Sequence, residues 1–128
     1  MKFQRDNVGG FFKLFVRLIR NQIWLLPRAW SAKQGVMTRL KESGWKPKYA
    51  YLSLGLAEPR LLSLVITFET DKELRKLNKS SVSKEVQKLF HQRLLKCRYP
   101  AWAVQTTEVT FHSYEAIDRA GGWYNYFK

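Results

Sequence analysis

The sequence predicts an α+β domain in which an antiparallel β-sheet packs against helices, and three observations support this. Apolar residues recur every three or four positions over residues 11–26 and 82–96, which is typical of helices. The stretch between them includes residues that alternate apolar and polar side chains, which is typical of strands. The length of 128 residues suits one domain. We therefore expect a single domain over 1–128, with a helical N-terminal part at 1–45 and a sheet with helices at 46–128.

The segment FFKLFVRLIRNQIWLL, at 11–26, predicts an amphipathic helix with a wide apolar face and a narrow basic stripe. The stripe consists of Lys13, Arg17 and Arg20, which repeat at helical spacing. These charges keep the uncharged run well short of the ~20 residues that a membrane-spanning helix needs, so we expect no transmembrane segment. We expect one side of the apolar face to pack on the sheet. The 82–96 helix or a second copy of the chain would cover the surplus, the latter as a homodimer through the 11–26 helix.

Breaking and capping residues predict the helix boundaries. A glycine pair at 9–10 should precede the first helix, and Pro27 should end it, because proline lacks the amide hydrogen that a helix interior requires. Ser31, with Gln34 three residues later, predicts the capping box of a second helix. Gly44 should stop that helix.

Two neighbouring segments, 50–56 and 62–68, predict an antiparallel hairpin. In each segment every second residue is apolar, so that one face of each strand would be buried. These apolar positions are Ala50, Leu52, Leu54 and Leu56 in the first strand and Leu62, Leu64, Ile66 and Phe68 in the second.

The rest of the chain predicts helices and strands in alternation. A capping box at 70–73 starts a short helix, and a longer helix follows at 82–96. Residues 101–111 predict a strand with a bulge near residue 106, where the alternation slips. Ser113 should cap a short helix that ends at a glycine pair. The final residues, WYNYFK, predict an aromatic strand.

The charge is strongly one-sided, with 23 Lys and Arg against 10 Asp and Glu and a net charge of +13. Such a field attracts polyanions: nucleic acid, anionic lipid or an acidic protein surface. Cys97 is the only cysteine, which excludes an internal disulfide and a cysteine-rich zinc site. The N-terminus lacks the apolar core and cleavage site of a signal peptide. We therefore expect a soluble, cytoplasmic protein.

Few residues offer catalytic chemistry. His112 closes a predicted strand, Glu108 lies four residues earlier on the same face, and Tyr114, Tyr124 and Tyr126 lie nearby in sequence. A histidine, a carboxylate and a tyrosine on a basic protein could form a metal-independent ribonuclease site. The simpler interpretation is that His112 ends a strand and the next residue caps a helix. Because a phosphate loop, a nucleophile elbow and metal-ligand spacing are all missing, we expect no enzyme activity, no cofactor and no metal.

The candidate partner-binding residues form two basic clusters and an aromatic tail. Trp30 and Trp45 lie beside basic residues, and cations interleaved with aromatics are typical of nucleic-acid binding. In the tail, Trp123 and Phe127 are expected in the core, whereas two tyrosines suit either core or interface. The candidates are Arg17, Arg20 and Arg28 in the first cluster, Lys72, Arg75, Lys76, Lys79, Lys84 and Lys88 in the second, and Tyr124 and Tyr126 in the tail.

The tail TEVTFHSYEAIDRAGGWYNYFK, at 107–128, resembles the strand, short helix and aromatic strand that end small bacterial immunity proteins of contact-dependent inhibition and related polymorphic-toxin systems. The resemblance implies a cognate toxin with an acidic surface, bound through electrostatic and aromatic contacts so that its active site is occluded. The alternative is a small basic nucleic-acid-binding protein, with affinity that falls steeply with salt. A third interpretation, peripheral membrane binding through the 11–26 helix, predicts flotation with anionic liposomes.

Overall fold

Three strands form one sheet and helices pack against it in the computed structural model, which describes residues 2–55 and 58–128. Helix predominates over strand, and both belong to one α+β arrangement, which confirms the predicted class. In chain order the elements are α1 (Lys2–Glu42), β1 (Tyr49–Leu54), a 3-10 turn (Pro59–Leu61), β2 (Leu62–Phe68), α2 (Asp71–Lys79), α3 (Val82–Lys96), α4 (Ala101–Val104), β3 (Glu108–Ser113), α5 (Tyr114–Arg119) and α6 (Trp123–Tyr126).

The sheet has the order β1-β2-β3 and is mixed. β1 and β2 form the predicted antiparallel hairpin, with Leu52 opposite Leu64, while Leu56 lies outside the described residues. β3 pairs with β2 in parallel, with Val109 opposite Leu64, so the expectation of a wholly antiparallel sheet is wrong. A parallel pair needs a connection of a dozen or more residues to bring the chain back to the same end of the sheet. The segment 69–107, with α2 to α4, supplies that connection.

The core lies between one face of the sheet and two helices, the C-terminal half of α1 and α3. β2 is the central strand and is buried almost throughout. Each helix buries a stripe that repeats every three or four residues, as an amphipathic helix does on a core. The stripes are Leu25, Ala29, Ala32, Val36 and Leu40 in α1 and Val86, Phe90 and Leu94 in α3. The predicted 82–96 helix and the inward faces of the hairpin are confirmed at the described positions.

α1 is one helix of 41 residues, so the predicted break at Pro27 and the capping box at 31–34 are wrong. The helix also runs through the glycine pair at 9–10. Pro27 is exposed, and Nη1 of Arg28 donates to the Trp24 carbonyl oxygen at 2.9 Å. Burial of the α1 stripe on both sides of Pro27 offsets the ~3 kcal/mol that a proline costs inside a helix.

The end of α1 follows the prediction. Gly44 has a φ of +86°, and its amide donates to the Lys41 carbonyl at 3.1 Å. The Trp45 amide donates to the Leu40 carbonyl at 2.9 Å, which completes a Schellman motif. The Trp45 ring then meets Phe68 edge to face at 6.2 Å. Trp45 therefore packs on the core instead of lining a nucleic-acid surface.

The N-terminal part of α1 extends past the sheet, and we call residues 9–24 the arm. A strand of seven residues spans about 23 Å and a helix of 41 residues about 61 Å, so the sheet covers less than half of α1. The described side chains of the arm are accordingly exposed, apart from the half-buried Leu18. The expectation that the apolar face of 11–26 packs on the sheet or under the 82–96 helix is therefore wrong for the arm. The part of α1 from Leu25 onward packs there instead.

The predicted N-caps after β2 and β3 are confirmed. Oγ1 of Thr70 accepts from the Glu73 amide at 3.2 Å, and Oγ of Ser113 accepts from the Ala116 amide at 3.0 Å. Because β2 and β3 are parallel, with Phe68 opposite Ser113, both strands end at the same edge of the sheet. α2 and α5 therefore start side by side.

The segment 101–107 differs from the prediction. Residues 101–104 form the short helix α4, and β3 starts only at Glu108, so the strand expected over 101–111 is wrong in its first half. The hydroxyls of Thr106 and Thr107 donate to carbonyls three residues back, at 3.0 Å and 2.7 Å, which closes the turn after α4. The slip in the alternation near residue 106 marks this turn and not a bulge.

The final residues form the helical turn α6, so the predicted aromatic strand is wrong. Gly121 and Gly122, with φ of +90° and +111°, reverse the chain before it. α6 lies on the sheet face opposite the core, where the Trp123 ring meets Tyr51 at 5.4 Å and stacks on Phe127 at 5.2 Å. Trp123 is half-buried, but Phe127 is 52% exposed, so the expectation of a core position is wrong for Phe127.

Candidate binding surfaces

α2 carries a row of four cations on its solvent face. Their spacing of i, i+3, i+4 and i+7 places them on one side of the helix, and Leu77 is buried on the other. All four side chains are exposed, and none forms a salt bridge within the part of the chain that the structure describes. We call this row the α2 stripe; it consists of Lys72, Arg75, Lys76 and Lys79.

The acids next to the α2 stripe hold the helix in place. Asp71 accepts hydrogen bonds from Nη1 of Arg119, at 2.6 Å, and from the hydroxyl of Ser113. These donors, Arg119 first, hold the pKa of the Asp71 carboxyl below its ordinary value. Glu73 accepts from the Thr70 hydroxyl at 3.2 Å. The first turn of α2 is therefore fixed to β3 and α5, and its acids are engaged away from the stripe.

Two further cations, Lys84 and Lys88, are exposed on α3. They line a cleft of about 540 Å³ that lies between α3 and the outer edge of β3. Apolar side chains, among them Val109 and Phe111, also line the cleft. The cleft thus combines two cations with an apolar lining beside an edge strand, and such an edge can take a partner in β-addition or in side-chain contact.

Side chains of α3 cap the start of that edge. Oε1 of Gln87 accepts from the Val109 amide at 2.8 Å, and its Nε2 donates to the Thr107 carbonyl at 3.1 Å. Nε2 of His91 lies 3.0 Å from the same carbonyl. His91 therefore takes part in closing the edge of the sheet, a structural role that its place on the helix did not reveal.

His112 lies under α6 with both ring nitrogens engaged. Nδ1 is 2.9 Å from the Tyr126 hydroxyl, and Nε2 is 2.9 Å from the Thr110 hydroxyl. Burial lowers the pKa of the His112 imidazole, which favours the neutral ring. Glu108 lies about 13 Å away along the strand, out of hydrogen-bonding reach. Of the ribonuclease-like group, the structure brings His112 and Tyr126 together and leaves Glu108 apart.

The arm is a large exposed apolar surface. Phe11 is 71% exposed, Phe12 65% and Ile23 70%. The sequence indicates the width of this apolar face, because the face is broader than a helix needs on a sheet. The sequence does not indicate that the face is exposed. The exposed apolar side chains of the arm are Phe11, Phe12, Leu14, Phe15, Val16, Ile19, Ile23 and Trp24.

The first basic cluster does not form one patch. Nη2 of Arg17 pairs with Glu58 at 3.7 Å, and the Arg28 guanidinium lies over the Trp24 ring, 4.1 Å from its centroid. Arg20 is exposed on the arm. The cluster therefore divides into cations of the arm and an arginine that packs against its own helix.

The two tail tyrosines have different surroundings. Tyr124 is 82% exposed, whereas Tyr126 is half-buried with its hydroxyl on His112. Tyr124 alone is thus available to a partner. The predicted partner-binding residues consequently lie on separate surfaces: the arm, the α2 stripe with the α3 lysines, and α6.

No helix within residues 2–55 and 58–128 is both long and apolar enough to cross a bilayer. Within the same ranges, no three His, Cys, Asp or Glu side chains come close enough together to hold a metal ion. Comparisons of the chain with protein-family models, with curated proteins and with solved structures found no match.

Proposed function

We propose that this chain is a non-enzymatic binding protein that neutralises a cognate protein toxin by covering an acidic surface on it. The α2 stripe carries the proposal, because it presents four cations in one row on an anchored helix. A fixed row of like charge attracts and orients a complementary acidic surface, and the helix loses little backbone freedom on binding. Lys84 and Lys88, with the cleft beside them, add charge and apolar contact area.

Cation–π contacts favour a protein partner over single-stranded nucleic acid. Each of three exposed aromatic rings already has a cation of the same chain over its face, which competes with a nucleic-acid base for that face. The pairs, with their distances to the ring centroid, are Arg28 on Trp24 at 4.1 Å, Lys48 on Tyr114 at 4.5 Å and Arg60 on Trp102 at 5.8 Å.

The toxin as partner rests on the resemblance of the tail, 107–128, to immunity proteins. In this tail, β3 and α5 follow the order of strand and short helix that the resemblance implies. The last segment is the helical turn α6 and not the implied strand. The cytoplasm as the place of action rests on Cys97, a half-buried free thiol that suits a reducing compartment.

The proposal predicts a toxin gene beside the gene of this chain, and binding to the product of that gene tests it. We expect inhibition of that toxin and tight binding in calorimetry. The double charge reversal Lys72→Glu/Lys76→Glu should weaken binding roughly a hundredfold, because it replaces two attractions with two repulsions. The matched control Lys41→Glu/Lys46→Glu reverses two exposed lysines away from α2 and should stay within roughly threefold of the native chain. Equal loss in both variants, or no inhibition by the native chain, contradicts the proposal.

A second candidate, binding to the backbone of duplex nucleic acid, is supported by the same stripe, because phosphates need cations and not free aromatic faces. It predicts that the logarithm of affinity for a random duplex falls with the logarithm of salt concentration, with about 0.9 of slope for each phosphate contacted. Lys72→Gln/Lys76→Gln should reduce that slope by about 2. Fluorescence anisotropy measures both quantities, and absence of binding at low salt contradicts this candidate.

A further inference from the structure

The arm leaves more apolar surface uncovered than the fold can explain. Eight of its large apolar side chains are 41–71% exposed, and Leu18 is half-buried. In the described residues, its salt bridge to the rest of the domain is the one from Arg17 to Glu58. Exposed apolar side chains this numerous and continuous are typical of a surface that a partner or a membrane covers.

The apolar side chains cover a wide sector of the arm. At 3.6 residues per turn, the sector runs from Leu14 through Phe15 and Ile19 to Val16 and spans about 200°. A helix that packs on one neighbour uses a stripe of roughly 100°, and a coiled-coil seam is narrower still. A second copy of the chain would therefore leave much of the sector in water. A lipid interface covers a half-cylinder of helix at once.

The remaining sector of the arm carries the cations, with Trp24 among them. Lys13, Arg17 and Arg20 lie within about 60° of one another on the side opposite the apolar sector. Every charged residue from position 7 to position 41 is a lysine or an arginine, so no acid within that part of α1 lies beside these cations; of the three, Arg17 pairs with Glu58 at 3.7 Å. Such a sector is complementary to the anionic headgroups of a membrane surface.

Aromatic residues lie at the end of the arm that adjoins the domain. Trp24 and Trp30 are exposed on α1, and Tyr51 of the edge strand β1 is exposed as well. Trp30 and Tyr51 line one apolar groove together with Ile23, so the apolar surface of the arm continues onto the domain. Tryptophan and tyrosine favour the boundary between headgroups and acyl chains.

We propose that the arm, residues 9–24, binds in the plane of an anionic membrane surface, with its apolar sector in the acyl boundary and its cations on the headgroups. The helix lies on the bilayer and does not cross it, in keeping with the absence of a spanning helix in the described ranges. The arm and the α2 stripe are different surfaces, so this proposal and the toxin-binding proposal fail or succeed separately.

Flotation of the whole chain with lipid vesicles tests the proposal. We expect the native chain to float with vesicles of equal parts phosphatidylcholine and phosphatidylglycerol and to float poorly with pure phosphatidylcholine. Phe12→Ser/Ile19→Ser should reduce binding roughly tenfold or more, because two apolar side chains leave the acyl boundary. The matched control Leu95→Ser/Trp102→Ser removes two exposed apolar side chains outside the arm and should bind as the native chain does.

Charge variants test the second half of the proposal. Lys13→Gln/Arg20→Gln should weaken binding to the anionic vesicles roughly thirtyfold, at about 1 kcal/mol per cation near the surface. Lys72→Gln/Lys76→Gln removes the same charge from α2 and should change binding little.

Equal flotation with both vesicle types, an equal loss in both charge variants, or no flotation overturns the proposal. The proposal is also overturned if the native chain does not float but forms a dimer in sedimentation equilibrium, and Phe12→Ser/Ile19→Ser dissociates that dimer. The arm would then bind a second copy of the chain.

Discussion

Thr67 shows how the second face of the sheet is held together. It lies in the central strand between Tyr49 and His112 and is fully buried under the C-terminal segment. Its hydroxyl and that of Tyr49 find no hydrogen-bond partner among the described residues. The aromatic rings of α6 therefore stabilise this face mainly by packing, and the two hydrogen bonds of His112 fix their position.

Replacing Thr67 with valine should stabilise the protein. Valine has nearly the same shape and removes a buried hydroxyl without a partner, whose burial costs about 1–3 kcal/mol. We expect the free energy of unfolding in urea to rise by about 1 kcal/mol. Thr107→Val is the control, because that hydroxyl donates to the Val104 carbonyl at 2.7 Å and its loss should destabilise. A loss of stability in Thr67→Val would show that its hydroxyl has a partner in solution.

His112 should make stability depend on pH near neutrality. Burial lowers the pKa of its imidazole below the ordinary value of 6.5. As pH falls through that value, the unfolded chain takes up a proton before the folded chain does, so the free energy of unfolding declines. The stabilisation is complete above the ordinary pKa and is lost as pH falls through the folded-state pKa. Urea unfolding across this range measures the decline, and His112→Asn should lessen it.

At the scale of elements, most of the differences between the predicted and the observed structure lie in α1. The sequence rules for helix ends hold where nothing opposes them, as at Gly44, Thr70 and Ser113. At Pro27 the rule fails, because Leu25 and Ala29 both pack in the core and keep the chain helical across the proline.

Pro27→Ala should therefore stabilise the protein. Alanine restores an amide donor in the helix and removes the clash of the ring with the preceding turn, a gain of about 1–3 kcal/mol. Thr38→Ala, at an exposed position of the same helix, should gain only about 0.5 kcal/mol. Unfolding in urea, monitored by circular dichroism, measures both. If Pro27→Ala destabilises, the proline instead sets an angle in α1 that the core requires.

At the scale of the whole molecule, the short sheet and the long helix divide α1 into a core part and an exposed arm. The candidate surfaces are separate as well. The arm carries apolar and basic side chains, whereas the α2 stripe is a row of cations only. Of the 23 Lys and Arg residues, three lie on the arm and four form the α2 stripe, two places of different chemistry.

The division predicts that truncating a phenylalanine costs much stability in the core and little on the arm. Phe90 is fully buried, so Phe90→Ala should cost about 3–5 kcal/mol of stability. Phe15 is half exposed on the arm, so Phe15→Ala should stay within about 0.5 kcal/mol of the native chain. For the same reason Phe15→Ser with Leu18→Ser should leave the domain folded. Equal losses in urea unfolding would mean that the arm packs on the domain in solution.

Local chemistry along the chain was sufficient to predict the α+β class, the β1–β2 hairpin with its inward face, the 82–96 helix, the caps at Thr70 and Ser113 and the stop at Gly44. Each of these features depends on the spacing of apolar residues or on hydrogen bonds between residues a few positions apart. Both can be read directly from the sequence. The spacing of the α2 stripe was visible in the same way, since residues three and four apart on a helix are neighbours.

Only the tertiary structure decided the parallel partner of β2, the continuity of α1 through Pro27, the exposure of the arm and the helical form of WYNYFK. These features depend on contacts between distant segments: the end of β3 beside the end of β2, the stripe of α1 on the sheet, and Trp123 on Tyr51. A sequence pattern states which side chains seek burial, but not which surfaces have room to bury them. In this chain the sheet is too short for α1, and the apolar face that it leaves uncovered is where a membrane is expected to bind.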